Sequence, residues 1–159
     1  MIETFSNSFG MQLPISKIIE EIKSFMKEDR ERQYKIIVGT DSERTPQNSA
    51  DFVTALVVYR VGNGGRYFWR RQKIGNIYNL HDRIIREVLI SLDAAKKLLT
   101  ELQKNKISNY DFEIHADVGE KGETKKLIQE VVGIIRANNF EVKTKPESYA
   151  ASNVADRHV

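Results

Sequence analysis

Two aspartates stand where strands of a sheet are expected to end. Asp41 closes the apolar run Lys35–Thr40, and Asp117 closes a second run that begins at Phe112. Alone, each is better explained as a turn or capping residue. Together, two adjacent carboxylates repel each other unless a cation neutralises them. No lysine is fixed beside either one in the sequence, so the pair favours a divalent metal such as Mg²⁺ or Mn²⁺, which prefers oxygen ligands.

Two further carboxylates could approach the same place. Glu87 lies in the early turns of a long amphipathic helix and flanks its apolar face, whereas Asp82 and Glu101 point away or lie at the far end. Asp156 lies in an alanine-rich stretch near the C-terminus and shares a helix face with Asn153. A lone glutamate on a helix is usually a solvated surface residue. These two assignments therefore depend on the aspartate pair.

Basic and aromatic residues concentrate in the stretch 52–81, which contains no Asp or Glu. This stretch carries a formal charge of +5, whereas the whole chain carries only +3. Such a mixture is typical of surfaces that hold phosphates and stack bases. It predicts nucleic-acid-binding residues, namely Arg66, Trp69, Arg70, Arg71 and Lys73, with Lys145 closer to the carboxylates. Two alternatives remain open: strand aromatics that face the core beside solvated arginines, and a Lys145 that pairs with the carboxylates.

Composition excludes several classes of protein. With 159 residues, 40% hydrophobic and 30% charged, the chain is expected to form one soluble globular domain, 1–159. No apolar run approaches the ~20 residues that span a bilayer, and residues 1–14 lack an export signal. We therefore expect a cytoplasmic protein with no membrane partner. The absence of cysteine excludes disulfides, thiolate zinc sites and a cysteine nucleophile.

Hydrophobic periodicity predicts the elements that must position these residues. A leading helix in segment 1–32, between Pro14 and Arg30, precedes a core at 33–159. The core elements, in order, are strands at Lys35–Thr40, Phe52–Val61 and Arg66–Ile74, a helix at Leu80–Leu102, a strand at Phe112–Val118, a helix through Leu127–Ile135, a strand at Phe140–Thr144 and a helix at Ser148–His158. Asp41–Asp51 is typical of a polar loop, and Gly62–Gly65 of a hairpin turn.

This order of elements predicts a mixed five-stranded α/β sheet with strand order three, two, one, four, five and an antiparallel second strand. Hairpins place the second and third strands on one side of the first, and right-handed crossovers place the fourth and fifth on the other. The first and fourth strands are then parallel neighbours ~4.8 Å apart. Asp41 and Asp117 would share the sheet end at which open α/β sheets bind ligands. A leading helix outside the core could support a homo-oligomer.

The same residues carry a resemblance. Asp41 in Val38–Ser42, Glu87 on the long helix, Asp117 in His115–Gly119 and Asp156 on the last helix occur in the order that resembles the ribonuclease H-like fold. More narrowly, the chain is similar to the YkuK-type family of uncharacterised bacterial proteins, predicted to be ribonuclease H-like nucleases. The matching segments are Ile37–Ser42, Arg70-Arg71 with Leu80–Val88, and Lys145–Asp156, within a similarity that covers nearly the whole chain.

The resemblance implies two-metal hydrolysis of phosphodiester bonds in RNA, an RNA–DNA hybrid or branched DNA. Two Mg²⁺ or Mn²⁺ ions ~3.5–4 Å apart would be bridged by Asp41, with Asp117, Glu87 and Asp156 completing their ligands. One ion would activate a water and the other would stabilise the leaving 3′ oxygen. His115 and His158 are left over: a mobile histidine can assist product release, whereas a strand histidine is more often structural.

Two other classes of function are compatible with this fold. One is a non-catalytic module that binds nucleic acid through the basic hairpin. The other is a structural or regulatory protein whose basic hairpin contacts an acidic protein partner. Metal-dependent cleavage separates the enzyme from both, and salt-sensitive nucleic-acid binding separates the module from the structural protein.

Overall fold

The structure, a computed structural model, describes residues 3–148. Seven strands, three α-helices and one 3-10 helix follow one another along this part of the chain. In order they are β1 (Thr4–Asn7), β2 (Gln12–Pro14), α1 (Ile15–Glu28), β3 (Tyr34–Thr45), β4 (Ser49–Arg60), β5 (Gly65–Ile74), α2 (Leu80–Lys104), β6 (Tyr110–His115), the 3-10 helix Glu123–Leu127, α3 (Ile128–Ala137) and β7 (Glu141–Lys143). The predicted C-terminal helix at Ser148–His158 lies essentially outside the described residues.

The strands form one mixed sheet with the order β2-β1-β5-β4-β3-β6-β7. The prediction of five strands is therefore wrong in number and in the full order, because an N-terminal hairpin extends the sheet beyond β5. The five strands that were predicted do follow one another in this sheet. β4 runs antiparallel to β3 and β5, whereas β6 runs parallel to β3 and β7.

The N-terminal hairpin is too short to show a hydrophobic period. β1 and β2 pair antiparallel and contribute two inward side chains, Phe5 and Leu13, to the core. A polar turn joins them: Asn7 Oδ1 accepts hydrogen bonds of 3.0 Å from the amides of Phe9 and Met11. The segment 1–32 therefore consists of a hairpin followed by α1, rather than a helix alone.

Helix α1 packs into the core instead of outside it. Its side chains Ile18, Ile22 and Phe25 are almost fully buried, in one cluster with the inward residues of the sheet and with α2. Spacing of apolar residues by three and four positions creates this face. The condition on which the leading helix could support a homo-oligomer, packing outside the core, is therefore not met, and a homo-oligomer stays a prediction.

The predicted polar loop at Asp41–Asp51 is instead a continuation of two strands. β3 runs to Thr45 and β4 begins at Ser49, and the pairs continue out to Thr45 opposite Ser49. Polar side chains mask this extension in the sequence, because the outer part of the hairpin has little core to pack against. The tight turn is made by Gln47 and Asn48, both with positive φ, 65° and 53°.

The helices lie on one face of the sheet, which fixes where α2 meets β3. Even-numbered residues of β3, such as Ile36 and Val38, join α1, α2 and α3 in the main core cluster. α2 begins at the predicted cap, since the Asn79 side chain accepts a 2.8 Å hydrogen bond from the amide of Asp82. Among the described residues, no helix is long and apolar enough to cross a membrane.

Candidate functional site

The two aspartates are placed differently from the strand ends that the sequence predicted. Asp41 lies inside β3, opposite Val53 of β4, because the strand continues to Thr45. The parallel neighbour β6 ends at His115, which pairs with Gly39, so Asp117 lies two residues beyond its strand. Both aspartates nevertheless lie past the last paired residues of β3 and β6, at the carboxyl end of the parallel strands.

Glu87 of α2 is the buried acid of this region. Its side chain is 4% exposed, and the cavity beside it is also lined by Thr40, His115 and Asp117. Burial raises the pKa of Glu87 well above its ordinary value, a hydrogen bond from Ser42 opposes that rise, and repulsion from Asp41 and Asp117 adds to it. Three elements thus bring the three carboxylates within electrostatic reach of one another.

Hydroxyl groups connect β3 to α2 at this point. Ser42 Oγ donates a short hydrogen bond to Glu87 Oε2, and the amide of Ser42 donates at 2.8 Å to Asp41 Oδ1. One turn further along α2, Ser91 Oγ lies 2.8 Å from Thr40 Oγ1, which in turn lies 3.2 Å from Thr54 Oγ1. These buried contacts fix the position of α2, and therefore of Glu87, against β3.

Replacing Thr40 by valine tests this connection. The change keeps the shape of the side chain but leaves the buried hydroxyls of Ser91 and Thr54 without their partner, at a cost of about 1–3 kcal/mol. We expect the free energy of unfolding in urea to fall by this amount. Thr4→Val, at an exposed hydroxyl that bonds Gln12, should change it by less than about 0.5 kcal/mol. Equal effects of the two substitutions would contradict a stabilising role for the buried hydroxyl contacts of Thr40 with Ser91 and Thr54.

Asp117 has a cationic neighbour, and the alternative in which Lys145 pairs with the carboxylates is confirmed. Lys145 Nζ lies 3.0 Å from Asp117 Oδ1, and the Lys145 amide donates a 2.8 Å hydrogen bond to the Val118 carbonyl. The lysine stem packs so closely on Gly119 that a Cβ there would lie 2.8 Å from Lys145 Cβ. The argument that no lysine neutralises the aspartates is therefore wrong, because β7 returns Lys145 to this end of the sheet.

The carboxylates suit a hard cation in chemistry but are not gathered around one point. Within residues 3–148, no three Asp, Glu or His side chains stand close enough together to hold a metal ion. Three mutually repelling carboxylates are nevertheless the oxygen donors that Mg²⁺ and Mn²⁺ prefer. The predicted fourth ligand, Asp156, lies outside the described residues.

His115 takes part in a buried polar group next to the aspartates. Its Nε2 lies 2.8 Å from Glu113 Oε1, both side chains are less than 10% exposed, and Lys35 Nζ lies 3.8 Å from the same oxygen. Burial lowers the pKa of His115, and the bond to Glu113 opposes this effect. The contact agrees with the structural interpretation of this histidine. His158 lies outside the described residues.

The predicted nucleic-acid-binding residues are divided between the two faces of β5. Arg66 and Arg70 lie on the helix face: the Arg66 guanidinium lies 4.5 Å from the Phe25 ring, and Arg70 contacts Glu3 and lies 5.0 Å from the Phe5 ring. Trp69 is packed on the opposite face with Ala55. The remaining members are Arg71, Lys73 and Lys145, of which Arg71 pairs with Asp51 at 2.6 Å.

This division weakens the idea of one basic, aromatic surface. Alternate residues of a strand point to opposite faces, so a run of basic residues cannot present all its charges on one side. Another cation of the +5 stretch, Arg60, is committed to the fold: it donates to the Phe25 carbonyl at 2.7 Å and to Glu28 at 3.0 Å.

Sequence reasoning missed Ser42, Thr40 and Ser91, which orient the carboxylates through hydroxyl contacts. A signal was present for Ser91, since it lies one helical turn after Glu87 on the face that packs against β3. For Lys145 the sequence indicated proximity to the carboxylates but not which of them it contacts; Asp117 lies 28 positions earlier in the sequence.

Comparison with known proteins identifies the family of the chain. A model of the family described as "Ribonuclease H-like" matches residues 17–159. "Uncharacterized protein YkuK" of Bacillus subtilis (strain 168) is 32% identical over 164 residues, covering 96% of this chain and 95% of that protein. No solved structure gives a significant match. On the extent of the family match and of the identity to YkuK, the chain belongs to the ribonuclease H-like family.

Proposed function

We propose that this protein is a divalent-metal-dependent nuclease that hydrolyses phosphodiester bonds through Asp41, Glu87, Asp117 and Asp156. The observation that carries the proposal is the burial of Glu87 beside two aspartates from other elements. A buried carboxylate that faces two like charges is costly to the fold unless a cation offsets it. Family membership supports the same interpretation, since it predicts carboxylates at these positions.

These carboxylates would hold the two Mg²⁺ or Mn²⁺ ions. Bound there, the metals supply an activated water and stabilise the leaving oxygen of the cleaved bond. The chain itself contributes the orientation of the ligands. Ser42 holds one oxygen of Glu87, and the Ser42 amide holds Oδ1 of Asp41. Lys145 balances the charge of Asp117 at 3.0 Å, and from there it could reach a phosphate oxygen of the substrate.

The substrate class is RNA, an RNA–DNA hybrid or branched DNA. Arg71 and Lys73 lie on the open face of β5 and extend from the sheet beside the β3–β4 hairpin. Cations at these positions would contact the phosphate backbone and would not specify the base sequence. Each contact adds salt dependence to binding, so we expect affinity to fall steeply between 50 and 200 mM salt, by about 10³-fold for six contacts.

Cleavage of a substrate panel tests the proposal. The purified chain is incubated with single-stranded RNA, RNA–DNA hybrid, duplex DNA and four-way junction DNA, with Mg²⁺, with Mn²⁺ or with EDTA. We expect cleavage of at least one substrate with metal and none in EDTA. Thermal unfolding with and without Mn²⁺ gives a second measurement, because an ion that binds only the folded state raises the unfolding temperature. Cleavage that persists in EDTA would contradict the metal mechanism.

A non-catalytic protein that retains the fold is the second candidate. It is favoured by the way the acids are already occupied: Ser42 bonds Glu87, and Lys145 neutralises Asp117. The cavity between Glu87 and Asp117 measures about 10 Å³, room for no more than about one water. This candidate predicts salt-sensitive binding to nucleic acid, no cleavage of any substrate and no stabilisation by Mn²⁺.

A further inference from the structure

A second concentration of positive charge lies at the opposite end of the sheet, in a groove that we call the basal groove. It is bordered by Lys23 and Lys27 of α1, by Arg30 just beyond the end of α1 and by Lys106 after α2, above a floor that includes Met26 and Ile107. The groove has a volume of about 350 Å³, and all four cations are exposed. None of the residues that line it is acidic.

The cations of the basal groove are not neutralised by the fold. Four carboxylates of the neighbouring segments are paired with other cations: Glu20 with Lys17, Glu28 with Arg60, Asp29 with Arg32 and Glu101 with Lys104. Glu31, which follows Arg30 in the sequence, does not line the groove. Within residues 3–148, the four groove cations form no ion pair of 4 Å or less. Lys23 and Lys27 are four positions apart, so they repel each other on one face of α1. Binding of an anionic ligand would reduce this repulsion and so stabilise the folded protein.

Helix dipoles offset only part of this charge. α1 ends at Glu28 and α2 at Lys104, so the negative ends of two helices face the groove. Each helix end is equivalent to about half a negative charge, against four full positive charges. About three positive charges therefore remain without an offset after both helix ends are counted. This excess is about equal to the net charge of the entire chain, +3.

The spread of the cations indicates an extended ligand. Lys23 and Lys27 are separated by ~6 Å along α1, at 1.5 Å per residue, which corresponds to about two nucleotide steps of 3.4 Å along one strand. Arg30 follows just beyond the end of the helix. Lys106 adds a contact from the other wall of the groove. A single phosphate ion would reach only part of this line, whereas a nucleic-acid strand would present a phosphate to each cation.

We infer that the basal groove is a second binding site for the phosphate backbone of nucleic acid, separate from the carboxylate site. Tyr34 lines the groove, and Asp41 lies seven residues further along β3, ~23 Å away at ~3.3 Å per residue. This distance corresponds to about seven steps of a duplex. The inference rests on the proposed nucleic-acid substrate, but it does not require that the substrate be cleaved.

The test removes two charges from the groove and measures binding of the full chain. The probe is a fluorescent RNA–DNA hybrid of about 20 base pairs, long enough to reach both sites, in EDTA so that nothing is cleaved. We expect Lys27→Gln with Lys106→Gln to weaken binding about tenfold at low salt and to reduce the salt slope by about 1.8, because two phosphate contacts are lost. The matched control, Lys17→Gln with Lys96→Gln, removes the same charge elsewhere on α1 and α2 and should change the affinity less than about twofold.

Five outcomes decide the matter. Equal affinity and salt slope in the groove variant and the wild type would overturn the inference, as would a wild type that binds no hybrid. Competition by millimolar inorganic phosphate at the same cations, without the loss of hybrid affinity, would show a small-anion site and also overturn it. Weakened binding with an unchanged unfolding temperature supports it, whereas a fall in unfolding temperature without weaker binding shows a structural role.

This inference and the proposed nuclease can fail separately. Loss of hybrid affinity in the groove variant, with no metal-dependent cleavage by the wild type, leaves the groove in place and removes the enzyme. Metal-dependent cleavage by the wild type, together with normal hybrid binding by the groove variant, would support the nuclease and overturn the inference about the groove.

Discussion

Asp41→Asn is expected to reduce metal-dependent cleavage by more than about a hundredfold while leaving the fold intact. Removal of groups that merely support a metal ligand typically costs 10–100-fold, and Asp41 is proposed to be a metal ligand itself. Asparagine has nearly the same shape and keeps the acceptor oxygen for the Ser42 amide, so β3 should be unaffected. Initial cleavage rates on the best substrate of the panel, with Mn²⁺, measure the loss.

The control for Asp41 is an aspartate that the site does not use. Asp93 lies on the exposed side of α2 and pairs with Lys97 at 2.9 Å, so Asp93→Asn should leave the cleavage rate within about twofold of the wild type. Both variants should show the wild-type unfolding temperature without metal. Full activity in Asp41→Asn would reject the proposed mechanism even if metal-dependent cleavage were found.

Glu87→Gln is expected to abolish cleavage and, without metal, to stabilise the folded protein at neutral pH. Burial raises the pKa of Glu87 in the folded state, so the folded protein binds this proton more tightly than the unfolded chain does. The stability from this group is fully present below its ordinary pKa of 4.5 and is lost as pH rises through the raised value. Glutamine is neutral at every pH and keeps a polar group next to Ser42, so it avoids that loss.

Chemical unfolding between pH 4 and 8 measures this effect. We expect the difference in free energy of unfolding, variant minus wild type, to increase with pH; each 1 kcal/mol corresponds to about 2–4 °C of unfolding temperature in a domain of this size. Glu101→Gln is the control on the same helix, since Glu101 only pairs with Lys104 at 3.4 Å. A Glu87→Gln variant that becomes less stable relative to the wild type as pH rises would contradict a costly buried carboxylate.

Saturating Mn²⁺ should reverse the order of stability at neutral pH. An ion bound by the ionised carboxylates stabilises the wild type by mass action, and Glu87→Gln removes one of its ligands. Wild-type unfolding temperature should then rise with metal while that of the variant changes little. Equal shifts in both proteins would place metal binding elsewhere in the chain.

The sequence was sufficient to predict the strands whose apolar residues alternate and the helices whose apolar residues repeat with the helical period. β4, β5 and α2 were predicted close to their observed positions because their buried residues repeat with the period of their element. The outer half of the β3–β4 hairpin failed that criterion, since Glu43 and Arg44 extend into solvent. The short strands β1 and β2 failed because three or four residues contain too few inward positions to show a period.

At the candidate site, the sequence indicated which acids approach one another but not what surrounds them. The order of strands was enough to bring Asp41 and Asp117 to one end of the sheet. The burial of Glu87 depends on how α2 rotates against β3, and that rotation is set by contacts such as Thr40 to Ser91 between distant parts of the chain. The pairing of Lys145 with Asp117 likewise depends on the return of the chain through β7.

The short pairing of the N-terminal hairpin with β5 affects the tendency of the protein to aggregate. Strand β1 pairs with β5 only at Ser6 opposite Trp69 and at Asn7 opposite Phe68, so the outer part of a ten-residue strand has no neighbour on that side among the described strands. Unpaired strand edges promote aggregation, and charged side chains along them are a common protection. Arg71 and Lys73 lie in that uncovered part. Since Arg71 is already paired with Asp51, the charge of Lys73 is the one that would oppose edge-to-edge pairing of two copies at this strand.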